Sequence, residues 1–273
     1  MDLKLYYYSS ESNFGDVINP FILEKIFKHR AIAVKAGEAD LFMIGSILHK
    51  AAVPRGKIFK RLRGAFQKPL YIWSSGFIRE DISDLRLSRK LNVCAVRGNL
   101  SRKLLEKMMG KTLDVPVGDG RLLISRLLPK MPEKKYAVGI IPHFVDEKLP
   151  EIELLHKKIA NSVIISPLGD PVECARSIAE CETVISSSLH GLIAADSFGI
   201  PNRQMVLSRN IVGGLFKYND YYSAFGEKAE PLLIDELFDR EISADTIGSA
   251  YKIPRDKVLA IQEKLIDSFP FGA

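Results

Sequence analysis

What most constrains this chain is an order that recurs along it: a β-branched or aromatic run, a turn of small residues, then a helical segment. The clearest copy is VISSSLHGLIAADSF (184–198), and another is NVCAVRGNLSRKLLEKM (92–108). Strand, small-residue turn and helix in that order build parallel α/β layers, in which ligands meet strand C-termini and helix N-termini. The first copy opens with LKLYYY (3–8), turns through SESNFGD (10–16) and passes into a helix expected over 17–28. Further strands are expected at IAVKA (32–36), ADLFMIGSI (39–47) and PLYIWSSGF (69–77). In LLPKMPEKK (127–135) prolines and lysines interrupt the apolar periodicity, after which the alternation restarts. YAVGIIPHF, SVIISPLG, ETVISSS and RQMVLS then read as strands, IELLHKKIA, PVECARSIAEC and LIAADSF as helices, and IPRDKVLAIQEKLIDSF as a closing helix. The fold class is α/β, with two Rossmann-like domains of mainly parallel sheet over 1–130 and 131–273. Their cleft is the expected small-molecule site.

A hydrophobic fraction of 47% supplies core for such layers, and 26% charged residues supply an ordinary polar surface. No apolar stretch approaches the roughly 18 residues of a membrane span, and MDLKLYYYSS lacks the order of a signal peptide. The expected location is therefore cytoplasmic. Cys94, Cys174 and Cys181 form no CxxC pair, no metal spacing and no full disulfide set, so they read as reduced core cysteines. The net charge of +6 is concentrated in KAAVPRGKIFKRLRGAFQK (50–68), which holds seven basic residues and no acid. With Ile58, Phe59, Leu62 and Phe66 between those charges, the segment reads either as a solvated loop or as a peripheral contact with an anionic membrane. Zinc-finger spacing and RNP-like strands are missing, so nucleic acid is not an expected partner.

The strand ends carry the candidate chemistry. In NFGD, Asn13, Gly15 and Asp16 stand where the first strand hands over to the first helix, fit to cap amides or accept a ligand hydroxyl. Gly45, Ser46, Ser75 and Gly76 end two further strands, where exposed amides suit an anion or an ordinary tight turn. Arg97 could hold a carboxylate or phosphate with its planar fork, or make a salt bridge to the next element. Asp119, between glycines, reads as a helix cap. His143 lies just beyond a strand, whereas His29, His49 and His156 read as surface residues. His190 follows Ser187 and Ser188 and precedes Gly191 at a helix start. An imidazole there resists a positive charge unless an anion compensates it, so it suits proton transfer beside an anionic ligand, or a structural hydrogen bond. GxGxxG, GxSxG and HExxH are all absent from the sequence, which leaves no motif for a dinucleotide, a serine hydrolase or zinc.

Taken in order, NFGD (13–16), IGS (44–46), WSSGF (73–77), VRGNLS (96–101), VGDG (117–120), IIPHF (140–144) and SSSLHGLIAADSFGIP (186–201) resemble the polysaccharide pyruvyl transferase family. The resemblance implies a GT-B-like fold and transfer of the enolpyruvyl-derived group of phosphoenolpyruvate to a saccharide. The product is a pyruvate ketal, with phosphate released and no redox cofactor required. It implies Arg97 as the anion holder and His190 as the proton-transfer residue. Asn13, Gly15, Asp16, Gly45, Ser46, Ser75, Gly76, His143, Ser187, Ser188 and Gly191 then belong to the substrate-binding cleft. The implied partner is a saccharide or lipid-linked saccharide acceptor. Many relatives carry arginine immediately before Leu-His, where this chain has Ser188, so Arg203 or Arg209 is expected to compensate, or the donor to differ. A nucleotide-sugar-dependent glycosyltransferase and a non-catalytic saccharide-binding protein are the alternatives.

Overall fold

In the first strand, β1 (Asp2–Tyr6), Leu3 and Leu5 are buried while Asp2 and Lys4 face solvent, the two-residue period of a strand on a core. The computed structural model describes residues 1–8, 13–57, 59, 62, 64 and 66–272. β1 pairs in parallel with β2 (Arg30–Ala33) and β3 (Leu41–Phe42); β5 (Leu70–Ile72) and β7 (Leu91–Val93) extend the sheet in the order β2-β1-β3-β5-β7. A separate antiparallel pair joins β4 (Ala52–Pro54) to β6 (Leu85–Leu87). The second sheet is parallel throughout, in the order β12-β11-β10-β8-β9, from β8 (Tyr136–Ile141), β9 (Ser162–Ile164), β10 (Cys181–Ser186), β11 (Asn202–Val206) and β12 (Leu232–Leu233). Two parallel-sheet halves are the layout the sequence pattern and the family resemblance imply.

Helices α1 (Phe14–Lys25) and α2 (Asn99–Met109) accompany the first sheet. α3 (Pro150–Lys158), α4 (Pro171–Ala179), α5 (Leu189–Phe198), α6 (Phe216–Tyr222), α7 (Ile234–Asp239) and α8 (Ala244–Ala250) accompany the second, and α9 (Arg255–Asp267) closes the chain. α1 starts three residues earlier than the pattern suggests, because the Asn13 side chain accepts the Gly15 N–H and caps it. Asp119 caps a 3-10 segment, Gly120–Leu127, as expected of it. Of the expected strand 39–47, Leu41 and Phe42 form the strand, and Gly45 adds an isolated parallel bridge to Ser75. Between Phe42 and Gly45 the Ile44 peptide is held by buried Asn19, whose Oδ1 accepts its N–H at 2.9 Å and whose Nδ2 donates to its carbonyl at 3.3 Å.

Strand order decides where a ligand can lie. In the first sheet the chain goes from β1 to β2 on one side and then to β3 on the other. In the second it goes from β8 to β9 and then reverses to β10. Loops leaving the two strands at such a reversal diverge and open a crevice beyond the strand C-termini. The loops after β1 and β3 therefore face a crevice of their own, as do those after β8 and β10.

One hydrophobic cluster spans both sheets, with Leu3, Phe14 and Trp73 packed together with Ile141, Val184, Ala194 and Leu265. α9 helps to seal it: the Trp73 indole donates to the Leu265 carbonyl at 3.0 Å, and Gly118 lies against Ile261 so closely that an added Cβ would sit 2.3 Å from it. The three cysteines are free, Cys174 and Cys181 buried and Cys94 half-buried. Among the described residues no helix is long and apolar enough to cross a membrane, and no cluster of three potential metal ligands forms. Of the basic segment, Ile58, Lys60, Arg61 and Arg63 lie outside the described residues.

Leu265→Ala tests the shared cluster. Removing this fully buried side chain should cost about 2–5 kcal/mol. In urea, Trp73 fluorescence and far-ultraviolet circular dichroism should shift to the same lower midpoint, because the cluster belongs to both halves. Separate transitions would show that the halves unfold independently.

Candidate active site

The crevices at the two sheet reversals merge into one cavity of about 330 Å³. Tyr8, Asn13 and Asp16 reach it after β1, Ser46, Ile47 and His49 after β3, His143, Phe144 and Val145 after β8, and Ser188, Leu189 and His190 after β10. Arg121 and Lys217 complete the polar wall.

His190 occupies the first turn of α5, and its ring fits only because residue 15 is glycine: a Cβ there would lie 2.1 Å from His190 Cγ. Its Nδ1 is 3.0 Å from Asn13 Oδ1 and its Nε2 is 3.9 Å from Asp16 Oδ1. Burial, reinforced by Arg121, Lys217, His143 and Arg97, holds the imidazole well below its usual range, so it is neutral at rest. Burial likewise pushes Asp16 up to about 6, although Arg121 and Lys217 oppose the shift. His143 is pushed down to about 4 by burial and by Lys217.

Arg121 is nearly inaccessible as a residue yet borders the cavity. Its Nε donates to the Gly15 carbonyl at 2.7 Å, its Nη1 reaches both Asp119 oxygens, and its Nη2 approaches Asp16 Oδ1 at 3.4 Å. Lys217, on α6, is 7% exposed and has no ion pair or hydrogen bond from its ammonium among the described residues. Burial, then Arg97, push it down to about 8. A buried ammonium without a counter-charge is costly and attracts an anion. The cavity can thus hold an anion on Lys217 and Arg121 beside a neutral imidazole and a carboxyl group poised to change protonation.

Several expected cleft residues lie behind this wall. Arg97 is fully buried: Nε donates to Asp220 Oδ2 at 2.9 Å, Nη1 to Ser46 Oγ at 2.5 Å and Nη2 to the Phe77 carbonyl at 2.6 Å. Of the two roles open to it, the salt bridge is the one this geometry fulfils, and its fork reaches the cavity only through Ser46. Gly76 leaves room for that guanidinium, and Ser75 donates to the Met43 carbonyl. Gly45, at φ +129°, makes a turn that L side chains rarely adopt, near Asp16 and Arg121. Ser187 Oγ accepts the His143 N–H, and Gly191 packs on Ser186 and Ile141.

The cation that lines the same cavity as Ser188, besides Lys50 and Arg121, is Lys217; Arg203 borders a separate small cavity with Tyr222 and Tyr251, and Arg209 is exposed outside the cleft. His49, expected at the surface, lines the cavity. Arg121 carries a faint sequence signal, standing two residues after a capping aspartate; Lys217 in GLFKYNDYY carries none.

Arg97→Lys keeps the charge but not the three-way fork, leaving buried acceptors on Ser46, Phe77 and Asp220 short of a donor. The expected loss is about 1–3 kcal/mol of stability, read as a lower urea midpoint. An unchanged midpoint with weakened ligand binding would return Arg97 to direct anion holding.

Comparison with known proteins places the second half of this cavity within a matched family region. A family model described as polysaccharide pyruvyl transferase matches residues 122–203, which include β8, β10, His143 and His190. A protein of Acanthamoeba polyphaga mimivirus, uncharacterized protein L143, is 26% identical over 270 residues, covering 96% of this chain and 88% of its own. The succinoglycan biosynthesis protein ExoV of Rhizobium meliloti (strain 1021) is 26% identical over 235 residues, covering 84% of this chain and 67% of its own. Among solved structures, the glycosyltransferase SnogD from Streptomyces nogalater aligns with 85% of this chain and 69% of its own at 11% identity and a TM-score of 0.39, too weak a likeness to carry an argument. The family model is thus seated on the strands and loops that form the C-terminal wall of the cavity, and it is over residues 122–203 that the chain matches the polysaccharide pyruvyl transferases.

Proposed function

We propose that this chain transfers the enolpyruvyl-derived group of phosphoenolpyruvate to a saccharide hydroxyl pair, forming a pyruvate ketal and releasing phosphate. The observation that carries the reading is the buried Lys217, whose ammonium has no ion pair or hydrogen bond among the described residues and only the Tyr218 ring at 5.4 Å, sharing one cavity with Arg121 and neutral His190. A small, highly anionic donor supplies the counter-charge that this wall lacks. The family match and the succinoglycan biosynthesis relative support a saccharide acceptor. The mouth of the cavity, with Tyr8, Ile47, Ile78, Phe144, Val145 and Val212, offers apolar surface for the faces of sugar rings or for a lipid-linked acceptor. His190 moves a proton during attack on the donor. Lys217 and Arg121 hold its phosphate and carboxylate, with Arg97 positioning Ser46 from behind. The chemistry proceeds without a redox step or cofactor.

The decisive experiment offers the purified protein phosphoenolpyruvate or nucleotide sugars with candidate glycans and measures phosphate or nucleotide release. Phosphate release coupled to a glycan mass gain is the expected result; nucleotide release alone would assign a glycosyltransferase. Lys217→Met should weaken donor binding about 10- to 100-fold, the loss of one charged contact. Because Lys217 is charged below about 8 and neutral above it, wild-type donor affinity should fall as pH rises through that value. The Lys217→Met variant should lack that step. His190→Gln should bind donor while losing most turnover.

The proposal extends to the basic segment, from residue 50 to 68, as a peripheral contact with the inner face of an anionic membrane. Phe59 and Phe66 are 89% and 92% exposed, with Lys57 and Lys68 nearby in sequence. Replacing both phenylalanines by serine should lower partition into phosphatidylserine vesicles, most clearly at low salt. Equal partition of both proteins would remove the contact.

A further inference from the structure

The direction in which protons move at this site can be read from Asn13. Its Oδ1 caps α1 by accepting the Gly15 N–H at 3.2 Å, and the same oxygen lies 3.0 Å from His190 Nδ1. Turning the amide over would set an NH₂ group against the Gly15 N–H, donor against donor, so the oxygen must face both neighbours. An amide oxygen only accepts, and His190 Nδ1 must therefore carry the ring's single proton in the neutral state. Nε2 is left bare on the cavity side, 3.9 Å from Asp16 Oδ1. The ring is held in that pose by Gly15 behind it and by Phe14, edge-on at 6.2 Å between ring centroids.

We propose, on the reading that phosphoenolpyruvate is the donor, that Asp16 and His190 form a proton-transfer pair of fixed direction, in which His190 Nε2 removes the proton of the attacking sugar hydroxyl and the Asp16 carboxyl delivers one to the donor's methylene carbon. Asn13 is the positioning residue that sets this direction through the tautomer.

The proton inventory closes over both half-reactions. In the first, the sugar oxygen bonds to C2 of the donor, the C2=C3 π electrons take the Asp16 proton at C3 to make a methyl group, and the hydroxyl proton passes to Nε2. In the second, the C2–O bond to phosphate breaks, the leaving phosphate takes the Nε2 proton, and the second hydroxyl bonds to C2 while returning its proton to the Asp16 carboxylate. Phosphoenolpyruvate and a diol become a cyclic ketal and phosphate, and both residues regain their starting states. The surroundings push both groups toward that neutral starting pair, which is complete below about pH 6. His190 faces Arg121, Lys217, His143 and Arg97, which disfavour an imidazolium. Asp16 is buried toward Arg121, Lys217, Asp119 and His190, with Tyr6 on the adjoining strand, and burial raises its affinity for a proton.

The first test needs no substrate. Protein labelled with ¹⁵N-histidine, with the His190 signals assigned by their loss in His190→Gln, should show protonated Nδ1 and bare Nε2 near neutral pH. Asn13→Asp keeps an accepting oxygen and should keep that tautomer, whereas Asn13→Leu should shift it toward Nε2–H. An Nε2–H tautomer in the wild-type protein overturns the assignment whatever the reaction proves to be. The second test is kinetic. With Asp16 acting as the acid, kcat/KM for phosphoenolpyruvate should fall as pH rises through about 6, and Asp16→Asn should bind donor but turn over about 100- to 10,000-fold more slowly. A rate that rises through that pH, or an active Asp16→Asn, overturns the proposed direction. If the wild-type protein releases no phosphate from phosphoenolpyruvate with any acceptor, the donor reading and the transfer step fall together, while the spectra still decide the role of Asn13.

Discussion

The cleft depends first on the guanidinium of Arg121. It arrives on the segment that follows the first sheet and binds the carbonyl of Gly15, the carboxylate of Asp119 and, more loosely, Asp16. One planar group thereby ties the start of α1 to the loop from which it comes. A lysine could not span those partners, because the fork holds its donors at fixed angles. The consequence is positional. Asn13, Gly15 and Asp16 are fixed relative to one another, and His190 can then be seated against them from the opposite half. Arg97 works similarly one layer deeper, where it and Ser101 share the carboxylate of Asp220, so that α2 and α6 are held together. The ammonium of Lys217, on the same short helix as Asp220, is thus presented to the cavity by a buried ion pair that itself stays out of it.

Two parallel sheets whose strand order reverses partway across could each bind a ligand alone. Here the two crevices face each other, and a hydrophobic cluster drawn from both halves, closed by α9, holds them together. Water is largely displaced from the polar wall, and that displacement, more than any single contact, sets the proton affinities. Asp16 rises although two cations lie near it, and His190 falls although a carboxylate lies near it. When desolvation outweighs pair attraction, both groups are pushed toward their neutral forms, the imidazole at neutral pH and the Asp16 carboxyl below about 6. An anionic ligand entering such a site meets Lys217 and Arg121 already dehydrated, a state in which their attraction is strongest.

The parallel two-sheet layout was legible because its signals are local: β-branched runs, small-residue turns and helical periodicity lie within a few residues of each other. NFGD, IIPHF and SSSLHG could likewise be placed at strand ends, and Asn13, Asp16, His143, Ser188 and His190 from them do meet in the cavity. Ser75, Gly76, Ser187 and Gly191 stand behind the cavity wall, because every strand end in an α/β fold has small residues and many of them serve backbone contacts and close packing instead of lining a cavity. Arg97 misleads for a related reason. A junction arginine looks alike in sequence whether its fork is free or filled, and here Asp220, 123 residues away, fills it.

Local pattern was enough to place most strands of the two sheets and the helices at 14–25, 99–109, 150–158, 171–179, 189–198 and 255–267, and to put His190 at the start of a buried helix. Those outcomes follow from backbone preference and apolar period, which act over short stretches of chain. Packing alone brings the strand-end turns together, puts Lys217 and not Arg203 or Arg209 in the wall of the cavity with Ser188, and sets Asn13 against His190 Nδ1. Each of those is a contact between segments more than twenty residues apart, and the Asn13–His190 contact spans 177. Such contacts are set by how two sheets pack and exclude water, and no local pattern in the chain encodes the charge that a group will carry once that water has gone.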